Sequence, residues 1–197
     1  MRKMLVVLLF LLIPTVLSAD TVYMDQAAWE AAVGTWQTED FNDATLNPGL
    51  MITGQEVSWP YGGDYAFSGQ DVMWGQVTDT QDGNYTVSFN FASPIVGFGG
   101  LWDLAGPGGP GTGLCVSLDG ASCVAVIDHD YHGGFWGITS TVPVTNVTLS
   151  FDGQAGWAET FELENLQYSS VPEPATLILL GAGLLGLGWT KRRMGKA

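Results

Sequence analysis

Residues 84–91 read Asn84-Tyr85-Thr86-Val87-Ser88-Phe89-Asn90-Phe91. Tyr85, Val87, Phe89 and Phe91 alternate with polar side chains. That period of two belongs to a β-strand with one buried and one wet face. The same kind of segment recurs on both sides, separated by Gly, Pro, Asn and Asp. The expected strands are Gln55–Trp59, Asp64–Phe67, Asp71–Val77, Asn84–Phe91, Ile95–Trp102, Phe135–Ser140, Val144–Phe151 and Glu159–Tyr168, with a short one at Thr21–Met24. One helix is expected, Gln26 to Val33, capped by Asp25 and stopped by Gly34. Thr35 to Asn42 reads as extended, with Trp36 and Phe41 buried, and Asn47-Pro48-Gly49 as a turn. Asp103 to Gly113 reads as a Gly/Pro-rich surface loop. The pattern predicts an all-β fold, a two-sheet β-sandwich of jelly-roll type with one short helix.

Both ends of the chain differ from this middle. Arg2 and Lys3 precede the apolar stretch Leu5 to Ile13, and Leu17-Ser18-Ala19 ends in small residues, so residues 1–19 read as a signal peptide. At the other end Val171-Pro172-Glu173-Pro174 is held extended by its prolines. Ala175 to Thr190 carries no charge, and Lys191, Arg192, Arg193 and Lys196 follow. An apolar run closed by basic residues predicts a transmembrane helix with a cytoplasmic stop. The run is short, because sixteen helical residues rise about 24 Å against a hydrocarbon core of about 30 Å.

The body between them is residues 20–170. All six Lys and Arg lie in the terminal segments, and of the twenty acidic residues only Glu173 lies outside 20–170. Nineteen carboxylates and no Lys or Arg remain. Phosphate contacts need cations, which excludes nucleic acid as a partner. Cys115 and Cys123 are the only cysteines. A three-residue hairpin loop at Leu118-Asp119-Gly120 would set Cys115 opposite Cys123, so a disulfide is expected outside the cytoplasm.

The order Val-Pro-Glu-Pro, Gly/Leu-rich helix and basic cluster resembles the PEP-CTERM sorting signal, a tail also catalogued as the ice-binding protein C-terminal domain. The resemblance covers about one-seventh of the chain. It implies recognition by an exosortase, a membrane-embedded transpeptidase of Gram-negative bacteria. It also implies transient residence in the inner membrane, cleavage near Pro172-Glu173-Pro174, and delivery to the cell surface or an extracellular, exopolysaccharide-rich biofilm matrix.

For the body, jelly-roll carbohydrate-binding modules offer an analogy, since their first and last strands are neighbours and often share a structural calcium. It points to Glu39, Asp43 and Asn165 as ligands. Trp59, Tyr61, Tyr65 and Trp74 lie in Gly- and Ser-rich surroundings, where flat rings suit sugar faces. His129 and His132, within Asp128–His132, are candidate transition-metal ligands or surface turn residues. No Gly-x-Ser-x-Gly and no His-Glu-x-x-His occurs, so no catalytic residue is assigned. The expected function is a non-enzymatic surface or matrix protein touching polysaccharide; the alternative is a secreted carbohydrate-active hydrolase.

Overall fold

The computed structural model describes residues 20–63, 66–80, 83–104, 113–152 and 157–170. The expected signal peptide, Tyr65, the Gly/Pro-rich stretch 105–112 and the whole tail from Val171 lie outside them. Among the described residues no helix is long and apolar enough to cross a membrane; the expected span Ala175–Thr190 is not among them.

The elements in order are β1 (Thr21–Tyr23), α1 (Gln26–Val33), β2 (Gln37–Glu39), β3 (Leu50–Thr53), β4 (Glu56–Gly62), β5 (Asp71–Thr80), β6 (Gly83–Tyr85), β7 (Val87–Asp103), β8 (Leu114–Leu118), β9 (Ala125–Ile127), β10 (His132–Phe151) and β11 (Trp157–Ser170). All pairings are antiparallel. The strands form one curled sheet rather than two separate ones, in the order β4-β5-β11-β7-β10-β8-β9.

β7 and β10 make the curl. Each was expected as two strands, and each runs on through an exposed bend at residues 92–94 or 141–143. Pro94 and Pro143 lack the N–H that a ladder needs, so pairing lapses there and the strand turns. The register shift between Thr139 and Val144 marks the same place. Before its bend β7 pairs with β3 and the end of β10; after it, β7 pairs with β11 and the start of β10. The result is a front leaf (β4, β5, β11, late β7, early β10, β1) and a rear leaf (β3, early β7, late β10, β8, β9).

One apolar core fills the space between the leaves. Phe41, Met73, Phe89, Phe98, Trp102, Trp136, Val147, Phe161 and Leu163 are buried there. The period-two reading of 84–91 holds, with Val87, Phe89 and Phe91 inside. Trp36 departs from expectation: it is 38% exposed. β2 begins one residue later, and Trp36 lies outside its pairing with β11. The expected strand at 64–67 is also corrected. Residues 66–69 are a turn, closed by Gly63 N–H to Gln70 O and Gln70 N–H to Phe67 O, each 2.9 Å.

α1 covers the outer side of the front leaf. Asp25 caps it by accepting from Ala28 N–H at 2.7 Å, and Gly34 ends it at φ 78°. Its buried Trp29 packs at 5.8 Å on Phe135 and donates to Ile138 O at 3.2 Å. Gly97 permits this approach, since a Cβ there would sit 2.6 Å from Val33 and 2.9 Å from Trp29.

The Cys115–Cys123 disulfide is present, with a Cα separation of 5.5 Å. Its strand register differs from expectation. Ala121 N–H bonds to Leu118 O, and Asp119 (φ 45°) and Gly120 (φ 73°) form a two-residue primed turn. β9 then pairs Val126 with Cys115 and Ala125 with Val116, leaving Cys123 outside the ladder. Cys123 still reaches Cys115 because residues 121–124 bow out between turn and strand. Replacing both cysteines by serine should cost about 2.5 kcal/mol by loop-closure entropy over this short span, measured as a lower denaturant midpoint.

Candidate functional site

The outer side of the front leaf carries a row that register alone assembles. Ser58 on β4 pairs with Trp74 on β5, Trp74 with Glu162 on β11, Glu162 with Asp103 on β7, and Asp103 with His132 on β10. Residues directly opposite share a face. One line therefore crosses five strands, with steps of about 4.8 Å.

Asp103 and Glu162 are fully buried within it. Asp103 ties two segments down: Oδ2 accepts from Ala66 N–H at 2.8 Å, and Oδ1 pairs with His132 Nδ1 at 3.1 Å. The turn 66–69 is thereby held against the start of β10. Asp103 was expected in a surface loop and is instead the last residue of β7. Beside the row stands Glu164, whose pKa is raised by burial and lowered in part by the Asn165 amide, 2.9 Å away. Thr160, two residues before Glu162 on the same strand face, is 4% exposed and its hydroxyl has no hydrogen-bond partner.

Aromatic rings flank this line. Tyr61 and Trp74, both half-buried, have ring centroids 6.1 Å apart at 37°. A bulge explains the pairing. Between Ser58 and Tyr61 the register shifts, across the cis Trp59-Pro60 bond. One extra residue reverses the parity of the strand, so Tyr61 joins the face of Ser58 and Trp74. Trp59 goes the other way and packs against the core. Of the four aromatic candidates, Tyr61 and Trp74 come together, Trp59 supports the core, and Tyr65 lies outside the described residues. Asp103, His132 and Glu162 join them only through register, which no local pattern shows.

The calcium candidates are near one another in topology, since Glu39 pairs with Leu166, the residue after Asn165. Each has at least one side-chain atom engaged within the protein. Glu39 is 4% exposed and accepts from Phe41 N–H at 3.1 Å and Asn47 N–H at 2.6 Å. These bonds fix the turn in which Phe41 takes φ 56°. Asp43 accepts from Thr45 N–H at 2.6 Å.

The two histidines diverge. His132 meets Asp103, whereas His129 Nδ1 lies 3.0 Å from Asp128. Among the described residues, one group of three or more His, Cys, Asp and Glu has ligand atoms within 4.8 Å: Asp128, His129 and Asp130, all exposed. Near it, Glu159 is buried and accepts from Gly113 N–H at 2.9 Å. Burial pushes its pKa up to about 7, against the Gly113 bond and the charge of His129.

The rear leaf's outer side is neutral and satisfies itself. Ser88 and Thr148 hydroxyls are 2.9 Å apart, Thr148 donates to Asn146 at 2.8 Å, and Asn146 donates to Asn90 at 2.9 Å.

No curated protein matches the chain. Several solved structures do. A mutant of the family 29 carbohydrate binding module CBM29-2 is 15% identical over 71% of this chain and 99% of its own, with a TM-score of 0.48. The cleaved adhesin domain K2 of Lys-gingipain is 9% identical over 70% and 99%, at 0.44. The family 32 module of C. perfringens NanJ, in complex with galactose, is 8% identical over 66% and 98%, at 0.38. At these values none of them speaks to what this chain binds. The tail is different: residues 170–193 match the family model of the PEP-CTERM protein-sorting motif, so the last strand of the body runs straight into that motif.

Proposed function

We propose that the chain is an exported, non-catalytic surface or matrix protein. An exosortase reads its tail, and its body holds a polysaccharide on the front leaf. The observation that carries the glycan reading is the Tyr61–Trp74 pair, two half-buried rings set side by side on a sheet face. Such rings offer a flat apolar surface to a sugar while Ser58 and Gln76, on the same face, offer hydrogen bonds. The sorting motif supports export. A body of nineteen carboxylates without Lys or Arg favours a neutral or cationic glycan over an acidic one.

The hydrolase alternative needs two carboxyl groups flanking the scissile bond. Asp103 and Glu162 are adjacent, yet both are fully buried and Asp103 is engaged with Ala66 and His132. That disposition favours support over catalysis.

Affinity electrophoresis of the full chain through a panel of soluble neutral polysaccharides tests the reading. Retardation is expected in at least one gel, and Trp74→Ala should weaken it about tenfold, the equivalent of about 1.4 kcal/mol. Absence of retardation in every gel rejects the glycan reading. Release of reducing sugar that Asp103→Asn or Glu162→Gln abolishes would establish the hydrolase instead.

A further inference from the structure

The end of the body from which the sorting tail leaves has a distinctive surface. Ser170, the last residue of β11, is paired with Ile95. Both strand bends lie at this end. Residues 92–94 are Ala-Ser-Pro and residues 141–143 are Thr-Val-Pro; all six are exposed and none is charged. Val142 is 67% exposed, the most of any large apolar side chain among the described residues. Trp36, 38% exposed, precedes Gln37, which pairs with Tyr168. Beside the first bend lies a cleft of about 120 Å³ lined by Gln37, Pro48, Ala92, Ser93, Tyr168 and Ser170, among others, with no carboxylate in its wall. In a body with nineteen carboxylates this is an uncharged end. Acids stand at its margin: buried Glu39 lies behind the wall and acts on Tyr168, Asp20 accepts from Ser140 at 3.0 Å, and Asp119 accepts from Thr145 and Asn146 N–H.

Chain length decides what this end faces. Only residues 171–174 separate Ser170 from the apolar run that begins at Ala175. Fully extended, the five links from Ser170 to Ala175 span at most about 17 Å. The polar layer on each side of the hydrocarbon core takes up about 5–7 Å of that. While the tail is in the bilayer, the remaining reach of about 10 Å holds this end of the body close against the headgroup layer.

We infer that this end, with Trp36, Val142 and the two proline bends, is a membrane-apposed surface that rests on the headgroup layer of the bilayer holding the tail. Trp and small apolar side chains suit that layer, and Asp20 and Asp119 at the rim direct the contact to zwitterionic lipid. The seat is independent of any glycan. It holds Val171–Pro174 at the lipid surface, where a membrane-embedded enzyme would meet it.

The test uses the full chain in phosphatidylcholine vesicles. The two native cysteines are joined, so a nitroxide can be placed at Val142→Cys or, as a control at the opposite end, at exposed Gln70→Cys. The label at 142 is expected to be several-fold more accessible to oxygen, and less accessible to an aqueous nickel chelate, than the label at 70. A peptide spacer of about twenty Gly and Ser residues inserted after Ser170 should remove most of the difference, since it lets the body lift away. Equal accessibility at 142 and 70 in chain that floats with the vesicles overturns the inference. Failure of the chain to float overturns it at its premise, leaving the glycan assay unaffected.

Discussion

Trp102→Ala should destabilise the body by about 4–5 kcal/mol, close to the whole stability of a domain at the low end of the usual range of about 5–15 kcal/mol. Three effects act together. Trp102 is fully buried at the middle of the core, with ring centroids 6.1 Å from Phe98 and 5.6 Å from Phe161. Truncation leaves a cavity that rigid strands on both sides cannot close, because β7 is laddered to β10 and β11 at that point. The indole N–H also donates to Trp136 O at 3.2 Å. Removing it strips a hydrogen bond from a carbonyl in the interior. Trp102→Phe keeps most of the volume and loses the bond, so it should cost about half as much. Urea melts of the three proteins measure both values. A Trp102→Ala loss below about 2 kcal/mol would mean that the core is not centred where β7 and β11 meet.

That centre was legible in part. Alternation in 84–91 identified the apolar face of early β7 before any pairing was known, and 95–102 was read as a strand without a face. Continuity through Pro94 was not legible, because proline usually ends a strand and nothing local says that the chain resumes in the other leaf. The same holds for β10 at Pro143. Cys115 and Cys123 announced their bond through spacing and compartment. The register around them was misplaced, since Asp119-Gly120 alone makes the turn and residues 121–124 absorb the remainder. Short β3 was missed: four residues after a Pro-Gly turn carry too little pattern to stand out.

The candidate site divides along the same line. Trp74 and Tyr61 could be picked from composition, as rings among Gly and Ser. Their meeting depends on a bulge that reverses parity between Ser58 and Tyr61, and parity cannot be counted through a bulge not yet seen. Glu162, Asp103 and His132 lie far apart in the chain and are joined only by register. Trp36 reads as core because tryptophan usually is; its exposure follows from where β2 begins.

Glu159→Gln should change how stability depends on pH. Glu159 is 1% exposed, and burial raises its pKa from 4.5 to about 7. The folded state therefore holds a proton that the unfolded state gives up at lower pH. Its contribution is fully present below about pH 4.5 and is lost as pH rises through about 7. A shift of this size corresponds to at most about 3 kcal/mol. No Lys or Arg in the body can offset the charge. The groups around it are the Gly113 N–H, which Glu159 accepts, and exposed His129 beside Asp128 and Asp130. Glutamine keeps an oxygen for Gly113 and never ionises. Measured by urea melts, the variant should match the natural protein at pH 4 and exceed it by about 3 kcal/mol at pH 8.5. Melts of both proteins, repeated at each pH, subtract the titration of every other carboxylate. A difference that stays constant from pH 4 to 8.5 would show that Glu159 ionises in the folded body as it does in water, and that residues 157–170 leave its end of the core open to solvent.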